Sequence, residues 1–347
     1  MVRKSKKGEF MEELLRNYFL KAGYYVVRGV PFNYEGFDVT DIDLWIYGRT
    51  SSVSREIAIV DIKNKKTPQA IERIFWVKGL QLAVNATNAL VATTDRRTEV
   101  KDFGREQGVL VLDGHFISRL SKSESILDSR LTEEELISEI EKYTLGKIDG
   151  DWKGRVVESK KLLAKGLNFD SCNMWLEHAR YFAEQAIIKS SQRELAYRLC
   201  FLISSYLAVA VDFMLREMSF SESHDKQESL NNGFRYGSRG IKGTNSIVSA
   251  SLALVEQFAD NGSAISNQVR SNLDNELSKL PTNILSEFFS KSDVGKTLFE
   301  TSRELERIAM SKEFSTHTSS TVEVRSLIGC LLDYWQLDRR EFTGKNA

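Results

Sequence analysis

Ile57-Ala58-Ile59-Val60-Asp61-Ile62-Lys63 is an apolar run that ends in an acid and a lysine two residues apart. Read as a strand, it sends alternate side chains to opposite faces, so Asp61 and Lys63 project together while Ile62 turns back into the sheet. A carboxylate and a cation then stand side by side at a strand end. Upstream, Asp41-Ile42-Asp43-Leu44-Trp45-Ile46-Tyr47 is a second alternating run, and the Gly-Arg-Thr-Ser-Ser turn between the two predicts a hairpin. Alternation places Asp41 and Asp43 on one face, so geometry alone leaves both as candidate ligands. A third acid can come from the helix that opens the chain, where Glu9, Glu12 and Glu13 lie near the start.

Working outward, Glu9 to Ala22 carries Phe10, Leu14, Leu15, Tyr18 and Phe19 at helical spacing, with Gly23 placed to end the helix. Tyr24 to Val30 reads as a strand closed by Pro31 and a polar loop over Asn33 to Thr40. Beyond Lys63, Thr67 can cap a helix with Pro68 at its first position, and Ile71, Ile74, Phe75, Lys78 and Leu82 continue it. Ala89 to Thr93 is a further strand, Arg96 to Gln107 a short helix, and Val109 to Leu112 a last strand. The order αβββαβαβ calls for an α/β fold with a mixed sheet covered by helices.

These residues resemble the restriction-endonuclease-like, or PD-(D/E)XK, nuclease superfamily, and within it the Mrr-type and archaeal Holliday-junction-resolvase-type branches. Lys7-Gly8 and Glu12, followed by Gly23-Tyr24 and Val26-Val27-Arg28, are similar to the resolvase opening. Asp41-Ile42-Asp43-Leu44 looks like the Mrr "Gly-Ile-Asp-Leu" element, and Asp61-Ile62-Lys63 fills the (D/E)XK slot. Ala89 to Thr94 and Val109 to Gly114 resemble the last two strands. The resemblance covers about residues 5 to 120. It favours Asp43 over Asp41, although Ile42 replaces the usual proline or glycine, and the spacing to Gly23 favours Glu12 over Glu9 and Glu13.

The resemblance implies a Mg2+-dependent endonuclease that hydrolyses DNA phosphodiester bonds, with Mn2+ as a substitute ion, in the setting of restriction or anti-phage defence. Phosphodiester hydrolysis needs a nucleophile made from water and a counter-charge for the crowded phosphate. Mg2+ suits the second need and takes one or two carboxylates together with water and phosphate oxygens. Asp43 and Asp61 would supply those carboxylates, the Ile62 carbonyl an extra oxygen, and Glu12 a hold on a water or second ion. Lys63 would orient or deprotonate the attacking water, or stay charged against the phosphate. Lys65, Lys66 and Arg73 are candidate contacts to backbone phosphates, as is the basic start Arg3, Lys4, Lys6 and Lys7, whereas Lys78 and His115 read as ordinary surface residues.

At 347 residues the chain is long enough for two domains, each with its own core. Zero net charge excludes a wholly basic nucleic-acid binder, but residues 1 to 120 hold 19 Lys and Arg against 15 Asp and Glu, so the basic surplus lies in the half with the candidate site. Cys172, Cys200 and Cys330 show no metal-ligand or CxxC spacing and read as buried small apolar residues, which fits a reducing cytoplasm. The basic start is not followed by a signal-peptide apolar region. Leu199 to Leu215, the most apolar stretch, contains Ser204, Ser205 and Asp212 and reads as a buried bundle helix, so no membrane partner is expected.

The nuclease-like stretch is set at residues 1–120. Residues 121–151 form a connector in which Thr132 and Glu135 make a capping box for the acidic helix Glu133 to Tyr143. Residues 152–347 show recurring amphipathic patterns and read as an all-α domain, serving a partner protein, homodimerisation or substrate control. Ser219 to Asn245 interrupts it as a long polar loop whose Arg235, Arg239 and Lys242, interleaved with aromatics and glycines, could bind nucleic acid. Asp212 within the apolar helix is expected to pair with a partner, Arg216 four residues on being one candidate, or to help specify the bundle. Asn173 and His178 are similar to the Arg-Asn…His signature of HEPN-type RNases, but Cys172 stands in the arginine's place; a bundle histidine is the better account. An RNase and a catalytically silent nuclease-fold scaffold that binds DNA are the alternatives.

Overall fold

The computed structural model describes residues 7–65, 69–123 and 129–344. In chain order it has α1 (Lys7–Lys21), β1 (Tyr25–Tyr34), β2 (Phe37–Arg49), β3 (Arg55–Lys63), α2 (Ala70–Ala83), β4 (Asn88–Thr93), α3 (Thr98–Glu106), β5 (Val109–Leu112) and α4 (Gly114–Ser123). There follow α5 (Glu133–Lys142), α6 (Trp152–Lys165), α7 (Phe169–Ile188), α8 (Arg193–Leu215), α9 (Ser223–Tyr236), α10 (Gly240–Phe258) and α11 (Gly262–Lys279). The last are α12 (Thr282–Phe289), α13 (Ser292–Met310), α14 (Val322–Trp335) and α15 (Arg339–Thr343). An N-terminal mixed sheet is thus followed by a mostly helical region.

The sheet order is β1-β2-β3-β4-β5, with β1, β2 and β3 antiparallel and β4 and β5 added in parallel. Its two faces follow the alternation of the sequence. Even positions, among them Val26, Leu44, Ile46, Val60, Ile62 and Leu90, pack with Met11, Leu14, Leu15 and Phe19 of α1 and Ile117 and Leu120 of α4. Odd positions, among them Tyr25, Val27, Trp45, Tyr47, Ile59 and Val91, pack under Ile74, Val77 and Leu80 of α2 and continue without a break into the core of the helical region. The Tyr25 hydroxyl meets the Ser205 hydroxyl at 2.6 Å across that junction.

Several sequence expectations change. The polar stretch Asn33 to Thr40 is not a loop: β1 and β2 continue through it as a two-stranded arm, closed by Glu35 and Gly36, both at positive φ as a tight hairpin turn requires. Pro31 falls in an edge strand, the place in a sheet where proline is tolerated. Helix α2 begins at Ala70 with Gln69 as its N-cap; Thr67 and Pro68, and the basic start Arg3, Lys4 and Lys6, lie outside the described residues. Residues after Asp113 form α4, with His115 exposed on its first turn. The expected loop Ser219 to Asn245 is instead largely α9, a short 3-10 turn and the start of α10.

The expected capping box on α5 is present, with both the Thr132 and Glu135 hydrogen bonds made. Ser190–Leu215 is long and apolar enough to cross a membrane by length and composition, but 89% of its apolar window is buried within the fold. Asp212, on this helix, does not pair with Arg216. It is fully buried and accepts hydrogen bonds from Tyr47 Oη (2.6 Å), Arg49 Nη1 (2.8 Å) and Arg55 Nε (2.6 Å). An acid in an apolar helix thereby fastens that helix to β2 and β3.

Candidate active site

The β2–β3 register ends at Leu44↔Val60, which sets Asp43 and Asp61 at facing positions one residue further along. The Ile62 amide donates to Asp43 Oδ2 at 2.6 Å, so the aspartate is held against the strand that carries its neighbour. Lys63 Nζ lies 3.7 Å from Asp61 Oδ1. Asp61, Lys63 and Asp43 are therefore brought together as the alternation predicts. Asp41, two residues towards the hairpin arm, is exposed, and no hydrogen bond ties its side chain to β3.

Burial pushes the Asp43 carboxyl up to about 6, and the negative charges of Asp61 and Glu12 add to the shift against the Ile62 amide and Lys63. Three acids thus share one electrostatic neighbourhood. Glu12 is half-buried and accepts from Arg28 Nη2 at 2.7 Å and Nε at 3.0 Å; burial still holds its carboxyl above the ordinary range. Arg28 also holds Glu13 and, at 2.8 Å, Glu134 of α5. Burial would raise Glu13 as well, but Arg16 and Arg28 outweigh it and keep that carboxyl low, which marks Glu13 as the structural acid of the pair.

Arg73 of α2 does not stand free for phosphate. Its guanidinium grips Asp61 with two hydrogen bonds, Nε at 2.8 Å and Nη2 to the other oxygen, and lies 5.3 Å from the Trp76 ring centre. Among the described residues, no group of three or more His, Cys, Asp or Glu side chains stands ready to hold a metal ion. Asp43 and Asp61 have the donor chemistry and number that Mg2+ takes with water, and Asp43 has the unmet negative charge. Arg73 occupies both oxygens of Asp61, so the two carboxylates would have to exchange this guanidinium for the ion.

The remaining predicted contacts are dispersed. Lys65 is exposed, and its carbonyl accepts from Thr94 Oγ1 at 2.6 Å; Lys66 lies outside the described residues. Arg235 reaches the Leu280 carbonyl at 3.5 Å, and Arg239 and Lys242 are exposed on the turn and helix that follow. Among the described residues, no hydrogen bond or ion pair ties these three to the Asp43–Asp61 cluster. His178 is buried with Nδ1 2.8 Å from the Ser159 hydroxyl, the geometry of a bundle histidine.

Arg28 entered the sequence reading only as the end of Val26-Val27-Arg28, with no role assigned, yet it anchors Glu12, Glu13 and Glu134. A lone cation in the apolar run Tyr25-Val26-Val27 was its signal, because a buried guanidinium requires carboxylates around it. Comparison of the chain with protein-family models, with curated proteins and with solved structures finds no match.

Proposed function

We propose that the protein is a Mg2+-dependent endonuclease of restriction-endonuclease-like fold, acting on DNA at the β2–β3 strand ends. The observation that carries this reading is the facing pair Asp43 and Asp61 on adjacent strands, with Lys63 projecting beside them. Mg2+, when bound, supplies the positive charge that phosphodiester hydrolysis requires near the transferring phosphoryl group. Asp43 and Asp61 would hold the ion, and the Ile62 amide fixes the Asp43 carboxylate against β3. Lys63, half-buried, is placed to orient a water or to face a phosphate oxygen. Glu12 contributes negative charge to the same neighbourhood from α1, its position fixed by Arg28.

A second reading has an observation in its favour. Arg73 on Asp61 and Arg28 on Glu12 already neutralise two of the acids, as expected of a nuclease-fold subunit that binds DNA without cutting it. Labelled single-stranded DNA, duplex DNA and RNA, each incubated with Mg2+, with Mn2+ and with a chelator, separate the readings. Metal-dependent cleavage of DNA supports the endonuclease, cleavage confined to RNA makes it an RNase, and retention of duplex DNA without cleavage under either ion favours the silent subunit.

A further inference from the structure

Helix α10 buries Leu252 and little else, although it is long and apolar. It packs on α11 and α9, which leaves a second stripe facing water. Ile247 is 47%, Leu254 59% and Phe258 77% exposed. With Gly243 and Ala250 these residues are spaced by four, three, four and four, the repeat of one helix face. No charged residue occurs between Lys242 and Glu256. A solvated helix face normally carries charges, whereas an apolar stripe free of them has the make-up of an interface core.

We propose that this stripe is the surface through which two copies of the chain associate, with their α10 helices antiparallel. The occupant follows from the stripe's self-complementarity. A two-fold axis between Ala250 and Ser251 sets Phe258 of one copy over Gly243 of the other and Ile247 against Leu254, so each large side chain meets a small or matching one. Ala250 and Ser251 at the axis let the backbones approach. The same arrangement brings Arg239, at the basic start of the helix, to the end of its partner that carries Asp260, and opposes the two helix dipoles favourably. The parallel arrangement would align like charges and stack Phe258 on itself. Self-association of this kind stands whether or not the sheet carries a nuclease.

The test is the mass of the full-length protein in solution by light scattering and sedimentation over a wide concentration range. The wild-type chain, 39.5 kDa, is expected to show twice that mass. Leu254→Asp, at an exposed position, is expected to weaken the dimer by at least about tenfold in dissociation constant while melting at the same temperature as the dilute wild-type monomer. Ala250→Cys, next to the axis, is expected to form a disulfide-linked dimer with oxidised glutathione, and Lys279→Cys, at the far end of α11, is not. Cys172, Cys200 and Cys330 are buried and do not compete. A wild-type protein that is monomeric throughout overturns the proposal. So does a dimer that withstands Leu254→Asp and links no better through position 250 than through position 279.

Discussion

Asp43 lies under the Ile62 amide and opposite a second carboxylate, and its ionisation opposes folding. Its folded pKa of about 6 exceeds the unfolded value of 3.8, so the folded state holds the extra proton between these values. The stabilising effect of that proton is complete below pH 3.8 and is lost as the pH rises through 6. Asp43→Asn is therefore expected to raise stability at pH 7–8 by about 2–3 kcal/mol and to flatten the pH dependence between 4 and 6, as denaturant melts at several pH values would record. A cation at this place has the opposite effect on the carboxyl, so Mg2+ is expected to raise the wild-type melting temperature at pH 8 and to leave Asp61→Asn unchanged. Arg73 pairs with both oxygens of Asp61, the place such an ion would take. Arg73→Ala is expected to tighten Mg2+ binding several-fold by calorimetry, and unchanged binding would show that the arginine is no competitor. Asp61, Lys63 and Asp43 were legible because alternation along two short runs fixes which side chains share a face. The grip of Arg28 on Glu12 and Glu134 was not, since these partners lie 16 and 106 residues away on other elements and neither separation leaves a local pattern.

Among the elements, α8 shows how one buried acid can join two layers. Replacing Asp212 by alanine takes the buried acceptor from Tyr47 and leaves Arg49 and Arg55 with backbone carbonyls but no carboxylate. It is expected to cost about 3–5 kcal/mol in denaturant unfolding, and a loss below 1 kcal/mol would mean that the pairing is replaced from elsewhere. Helix α9 shows why the sequence understated helix content beyond residue 219. Ser223 to Tyr236 is polar and contains Gly233, which reads as a loop, yet the helix buries Leu230, Gly233 and Phe234 and is held by its neighbours. Gly233 is required for packing: a Cβ there would come within 2.3 Å of the Phe169 ring. Gly233→Ala, favourable by helix propensity, is expected instead to destabilise by about 1–3 kcal/mol. The β1–β2 arm was missed for a related reason. Pro31 and the polar residues after it read as a strand end, and only an edge position lets a strand continue through them.

Over the whole molecule, the sheet and the helices share one core. Tyr25, Val27, Trp45 and Tyr47 are covered by the helical region, so residues 1–123 expressed alone are expected to be insoluble or molten, as near-UV circular dichroism and dye binding would show. Ion pairs run through the same junction, from Glu12 and Arg28 to Glu134 of α5 and from Arg16 to Glu306 of α13. The candidate site is thus braced by the helices that follow it in the chain. The proposed chemistry requires Asp43, Asp61 and Lys63 to act together, and the most direct test is cleavage of supercoiled plasmid in Mg2+ by the wild-type protein and by Asp61→Ala, with equal folding shown by their melts. Nicking or linearisation by the wild type, reduced at least about 100-fold in Asp61→Ala, is the expected result. Cleavage by Asp61→Ala at the wild-type rate would contradict it.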